Sequence, residues 1–218
     1  MSETRLEADV IIAGGGPAGS VAAWVLASSG YTVTVLEKKE FPRYKVCGAG
    51  LTHKILKEIP FPVNPVIETQ IHTFRFSNRF SEAFERTSPD PLIYCTMREK
   101  LDSFMLSQAQ AAGAKVLFGV QVTAAVPQGD TIKVLTRAGD YFCRKLIGAE
   151  GATGAVARSA GLWKDMILGL AWEAELEIET AAPERIRQTV FLDWGSFPGG
   201  YGWMFPKSGH ISVGLGGP

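Results

Sequence analysis

With 218 residues, of which 46% are hydrophobic and 20% charged, the chain has enough apolar side chain for a sizeable core, in one large or two interlocked domains. Lysine and arginine balance aspartate and glutamate at a formal charge of zero, and the two signs are mixed along the chain, which argues against nucleic acid as a partner and against an electrostatic membrane footprint. Three scattered cysteines, Cys47, Cys95 and Cys143, offer neither a disulfide framework nor zinc spacing and fit a reducing cytoplasm. The polar start Met1 to Glu7 is unlike a secretory leader, and no apolar stretch approaches spanning length, so any membrane contact would be peripheral.

In chain order, the apolar, β-branched run Asp9 to Ala13 predicts a strand, and Gly14-Gly15-Gly16-Pro17-Ala18-Gly19 a turn. Ser20 to Ser29 then reads as a small-residue helix ended by Gly30, and Tyr31 to Leu36 as a second strand with Glu37 at its end. Strand, glycine turn, helix, strand and acid is the order that holds the ADP half of a dinucleotide. Gly14 permits the bend, Gly16 lets backbone approach a pyrophosphate, and Gly19 lets helix pack on strand. The phosphates would sit at the helix N-terminus, where unpaired N–H groups favour an anion. Glu37 can accept both ribose hydroxyls and would repel a 2′-phosphate, so the expected cofactor is FAD or NAD rather than NADP.

Farther on, Phe41-Pro42-Arg43 leads to a glycine turn at Cys47-Gly48-Ala49-Gly50 and an amphipathic segment through Lys57. Ile71 to Phe76 and Arg79 to Phe84 alternate and are expected to pair across a Ser77-Asn78 turn. Helical spacing at Leu101, Phe104, Met105 and Ala109 predicts a helix over Arg98 to Ala112, followed by strands around Val116, Val122, Val134 and Leu146 and a second glycine cluster, Gly148-Ala149-Glu150-Gly151. Extended segments at Leu168 to Ile178, Thr189 to Leu192 and Ile211 to Leu215 predict an antiparallel sheet. Alternation puts Tyr201, Trp203 and Phe205 on one face of a strand, as three rings of an apolar wall.

Four segments together resemble flavoprotein reductases and monooxygenases built like p-hydroxybenzoate hydroxylase, and within them the geranylgeranyl reductase family. They are the glycine turn with its Glu37 strand; Pro42-Arg43-Tyr44-Lys45-Val46-Cys47-Gly48-Ala49-Gly50-Leu51; Arg98-Glu99-Lys100-Leu101-Asp102 with the later Gly148-Ala149-Glu150-Gly151; and Tyr201-Gly202-Trp203-Met204-Phe205-Pro206 with the distal Gly214-Leu215-Gly216. Glu150 departs from the pattern, which usually has aspartate there.

The resemblance implies an α/β fold in which a Rossmann-like FAD-binding three-layer ββα domain (1–70 and 96–165) interleaves with an incomplete antiparallel substrate-binding domain (71–95 and 166–218). It also implies that the chain corresponds to an N-terminal portion, since the family's later Gly-Asp segment does not occur before Pro218.

Gly14, Gly16, Pro17, Ala18, Gly19, Glu37, Lys38, Arg43, Cys47, Gly48, Ala49, Gly50, Arg98, Glu150 and Gly151 would contact FAD. Tyr201, Trp203, Phe205, Pro206, Gly214 and Gly216 would line the substrate site, and Cys47 is the candidate catalytic side chain. No metal is expected. The implied reaction is reduction of isolated C=C bonds in a geranylgeranyl or related isoprenoid chain, on a lipid or chlorophyll-type head group, with NADPH or ferredoxin as electron donor. Two alternatives stay open: a monooxygenase or halogenase acting on an aromatic substrate, and a non-catalytic flavin- or prenyl-lipid-binding module.

Overall fold

The computed structural model describes residues 8–164, 166–178 and 183–218. Along the chain these form β1 (Ala8–Ala13), α1 (Pro17–Ser28), β2 (Val33–Leu36), β3 (Gly50–Thr52), α2 (His53–Glu58), a 3-10 turn (Asn64–Val66), β4 (Thr69–Ile71), β5 (Thr73–Asn78), β6 (Glu82–Thr87), β7 (Ile93–Cys95) and α3 (Arg98–Ala111). There follow β8 (Lys115–Leu117), β9 (Val122–Gln128), β10 (Thr131–Thr136), β11 (Gly139–Gly148), α4 (Ala155–Ser159), β12 (Leu170–Glu177), α5 (Glu184–Gln188), β13 (Thr189–Trp194), β14 (Tyr201–Lys207) and β15 (His210–Gly217).

Two units emerge: residues 1–43 with 102–166, and residues 44–101 with 167–218. Residues 44–70, expected with the nucleotide domain, fall in the second unit. Backbone pairing accounts for this, because β3 and β4 both pair with β7 in a three-stranded sheet.

The first unit is built on a six-stranded sheet ordered β8-β2-β1-β11-β10-β9. β8, β2, β1 and β11 run parallel, and β10 and β9 extend the sheet as an antiparallel meander. Ile11, Ile12, Val35 and Leu36 are fully buried, as near-continuous apolar strands of a parallel sheet should be. From β1 the chain goes to β2 on one side, and only much later to β11 on the other. The order therefore reverses beside β1, which opens a crevice at its carboxyl end. Helix α1 starts at Pro17, three residues before the expected start, because proline at its first position already has helical φ and its missing N–H would be unpaired there anyway.

In the second unit a six-stranded sheet runs β12-β15-β14-β13-β5-β6. Its pairs are antiparallel except β13 with β5, which are parallel, so the sheet is mixed rather than purely antiparallel. The β5–β6 hairpin turns at Arg79, Phe80 and Ser81, not at Ser77-Asn78. Arg79 and Phe80 both adopt positive φ (52° and 54°), and the Ser81 N–H donates to the Asn78 carbonyl. Asp193 holds this unusual turn: its carboxylate accepts from the Phe80 N–H at 2.8 Å and from the Ser77 hydroxyl at 2.6 Å. Among the described residues no helix is long and apolar enough to cross a membrane.

Candidate functional site

In the first unit the glycine turn lies at the crevice. Gly14 has φ +99°, and a Cβ there would lie 2.5 Å from the Ala149 carbonyl oxygen; one on Gly19 would lie 1.9 Å from the Gly14 oxygen. Only glycine allows the β1 end, the β11 end and α1 to approach this closely. Gly16 differs. Its backbone is extended (φ −71°, ψ −175°), and the atom nearest to where a Cβ would stand is Arg43 Nη2 at 3.7 Å, so glycine is not required there by the protein's own packing.

Glu37, 4% exposed, is fixed at the end of β2 by the Gly15 N–H (2.8 Å to Oε2) and the Lys39 N–H (2.9 Å to Oε1). Each carboxylate oxygen keeps a further lone pair for a ribose hydroxyl. Arg43 lies over the Phe41 ring at 4.6 Å and pairs through Nη2 with buried Asp102 at 3.0 Å, while its Nη1 is buried with no hydrogen-bond partner among the described residues. A buried guanidinium N–H without an acceptor, beside the open space at Gly16 and the N-terminus of α1, is what a pyrophosphate would satisfy. The residues present thus fit a dinucleotide.

Pro17, Ala18 and Lys38 flank this cradle in sequence. Glu150 has another engagement: its two oxygens accept the Ala155 and Val156 N–H groups (3.1 and 2.9 Å) and cap α4, with Gly151 at φ +87° in the connecting turn.

The other candidates, Cys47, Gly48, Ala49, Gly50 and Arg98, belong to the second unit, as do all the substrate-site candidates. Arg98 is half-buried in the first turn of α3. Cys47 is half-buried; its sulfur accepts the Ala49 N–H at 3.4 Å, and Ala49 takes a left-handed φ of 50°. A Cβ on Gly48 would strike the Phe205 ring at 2.8 Å, and one on Gly50 would strike Ile93 Cδ1 at 2.4 Å and the Phe205 ring at 2.9 Å, so these glycines interlock the segment with β7 and β14.

Tyr201, Trp203 and Phe205 share one face of β14, and the Tyr201 and Trp203 rings lie 5.5 Å apart. The row continues across the sheet through Trp194 (6.2 Å from Tyr201), Phe76 (5.7 Å from Trp194) and Phe84 (5.0 Å from Phe76). Gly214 lies under the Trp203 ring, Gly216 beside it, and buried Pro206 points to the opposite face. A cavity of about 760 Å³ runs along that opposite face, lined mainly by residues such as Phe191, Met204, Val213, Leu215 and Trp172. The Cys47 segment packs against the aromatic face through Phe205, while Trp203, Gly214 and Glu173 of that face also border the cavity.

Sequence motifs do not reveal Glu173, Glu175, Lys207 and Ser212, which make polar contacts on the same face. The alternation of Glu173 and Glu175 along β12 is legible, but their partners on β14 and β15 depend on register.

Cys95 is buried, and burial pushes its thiol up to about 12; burial also raises Cys143. A raised thiol pKa keeps sulfur protonated and unreactive at mild pH. In native protein at pH 8, iodoacetamide should therefore label Cys47 and spare Cys95 and Cys143 until the chain is unfolded, as peptide mass spectrometry would register. Comparable native labelling of Cys95 would contradict its burial.

A sheet whose strand order reverses beside β1, with a glycine turn, a helix N-terminus and an acid at that switch point, defines a dinucleotide-binding protein. The chain belongs to the FAD binding domain family, whose model matches residues 7–178, and FAD is its cofactor.

Among curated proteins it is 33% identical to an uncharacterized protein of Methanosarcina barkeri (94% of this chain, 53% of the relative). It is 32% identical both to a menaquinone reductase of Mycolicibacterium smegmatis (96% and 54%) and to digeranylgeranylglycerophospholipid reductase 2 of Methanopyrus kandleri (97% and 55%). The chain spans about half the length of the curated relatives it matches.

Among solved structures, a geranylgeranyl bacteriochlorophyll reductase-like protein of Thermoplasma acidophilum superposes with a TM-score of 0.80 at 25% identity, covering 96% of this chain and 56% of that one. A halogenase crystallised with FAD gives 0.75 at 19% identity (97% and 52%), a likeness of fold alone. The resemblance to geranylgeranyl reductases read from the four motifs is thus met by relatives bearing those names.

Proposed function

We propose that the chain is the cofactor-binding and substrate-facing part of a FAD-dependent reductase that saturates isolated C=C bonds of a geranylgeranyl or related isoprenoid chain on a lipid head group. The observation that carries this reading is the aromatic face of the second unit, with Tyr201, Trp203 and Phe205 in one row and the Cys47–Gly50 segment interlocked with Phe205. An unactivated alkene offers nothing to hydrogen-bond, so recognition must come from shape and apolar contact, which a wall of rings supplies. Reduced FAD, when bound, supplies the hydride.

The chain's own part is to bind, orient and exclude water. Glu37 would hold the ribose, Arg43 and the α1 N-terminus the pyrophosphate, and the aromatic row the prenyl chain. Cys47 is the side chain proposed to guard the approach to the alkene. NADPH or ferredoxin would act as the reductant, and a peripheral membrane contact would bring the lipid within reach.

The test is anaerobic. Flavin-loaded protein reduced with dithionite and mixed with a geranylgeranyl lipid should give products heavier by two hydrogens per double bond, and Trp203→Ala should lower the rate at least about tenfold, the scale of losing one large buried contact. Product formation that requires oxygen and adds a hydroxyl or halogen would overturn the reading in favour of a monooxygenase or halogenase.

A further inference from the structure

Three strands of the second unit place one row of residues side by side. Gly214 on β15 pairs with Glu173 on β12 and with Trp203 on β14. A side chain at Gly214 would strike the indole, since its Cβ would lie 2.3 Å from Trp203 Cζ2 and 2.4 Å from Cε2. The bare glycine lets the ring of Trp203 cross β15, and its Nε1 donates to Glu173 Oε2 at 2.9 Å. The other oxygen of the same carboxylate, Oε1, accepts the backbone N–H of Cys47 at 2.7 Å. One side chain thus joins two sequence motifs, the Cys47–Gly50 segment and the aromatic strand, through separate oxygens.

We propose that Glu173 is a positioning residue that holds the Cys47 segment and the Trp203 indole in a single arrangement. Both partners are N–H donors with no accepting role to play toward Glu173, so only a group that accepts at both ends serves them together. A carboxylate does so, and being ionised it makes the stronger class of hydrogen bond. Glutamine does not, because its amide nitrogen would face a second N–H. Ala49, held at positive φ next to this anchor, marks the segment as one whose shape the surroundings must impose. The functional meaning of the anchor rests on the reductase reading above; its geometry does not.

The experiment follows native carboxamidomethylation of Cys47 in the purified full chain, with Cys95 as an internal monitor of unfolding. Wild type, Glu173→Gln and Glu173→Ala are compared, and far-UV circular dichroism checks the fold. Glu173→Ala removes both acceptors and should raise the Cys47 rate about tenfold or more, the factor expected when a hydrogen bond to a charged group no longer holds a segment closed. Glu173→Gln keeps volume and one acceptor and should fall between the two, with Cys95 protected throughout. A Cys47 rate unchanged in both variants would overturn the proposal. So would Cys47 and Cys95 rising together, because that reports general loosening rather than release of one segment. No flavin or lipid enters the assay, so this result and that of the anaerobic test stand or fall separately.

Discussion

Gly16→Val should abolish retention of FAD while leaving the fold nearly as stable as the wild type. The two effects separate because Gly16 is extended, in a region open to any residue, and among the described residues, its chain neighbours aside, no atom lies closer than 3.7 Å to a Cβ placed there. The added isopropyl group would instead occupy the space in front of the α1 N-terminus and crowd the Arg43 guanidinium, the two features that suit a pyrophosphate. Loss of close backbone approach at this point should raise the dissociation constant at least about a hundredfold, equivalent to roughly 2.7 kcal/mol.

Gly19→Ala makes the contrast. Its Cβ would lie 1.9 Å from the Gly14 carbonyl oxygen, so α1 must move off β1, at a cost of about 1–3 kcal/mol or more, and binding falls because the fold does. Flavin fluorescence titration beside urea denaturation distinguishes the two. If Gly16→Val bound FAD normally, the cradle assigned to the cofactor would be wrong.

Lys207→Ala should destabilise the second unit strongly, by about 3–5 kcal/mol. The Lys207 side chain has no solvent exposure, and its ammonium donates to Glu175 Oε1 at 3.0 Å and to the Ser212 hydroxyl, which in turn donates to the same Glu175 oxygen at 2.6 Å. Removing the cation leaves a largely buried carboxylate without its ion-pair partner, and Glu175 Oε2 already lacks a hydrogen-bond partner among the described residues. Replacing both charges with apolar groups, as in Lys207→Met with Glu175→Leu, removes the desolvation penalty with the attraction and should recover most of the loss. Chemical denaturation of the singles and the double closes the cycle. A single variant within about 1 kcal/mol of wild type would mean that the pair is far more hydrated than its burial indicates.

What the sequence makes legible is local. The strand, glycine turn, helix and acid of residues 9–37 are set by neighbours within one βαβ unit, and α1, β2 and Glu37 lie there, apart from the three-residue earlier start that Pro17 dictates. Alternation likewise puts Tyr201, Trp203 and Phe205 on one face. The hairpin turn is not legible because Arg79 and Phe80 carry no turn signature; their left-handed conformations depend on Asp193, more than a hundred residues away. The parallel pairing of β5 with β13 is equally non-local, and it extends the aromatic row to Trp194 and Phe76. Glu173 belongs to no motif, and only register across three strands brings it to Trp203. The packing of Phe205 and Ile93 where Cβ atoms at 48 and 50 would stand is not legible either, because it joins segments distant in sequence.

The most direct test of the central claim, that the first unit cradles the ADP half of FAD, is a titration of the purified chain with FAD followed by flavin fluorescence, repeated with ADP as competitor. The geometry of Gly16, Glu37 and Arg43 predicts saturable quenching at one FAD per chain, reversed by ADP. Absence of saturation, or binding that ADP does not displace, would contradict it.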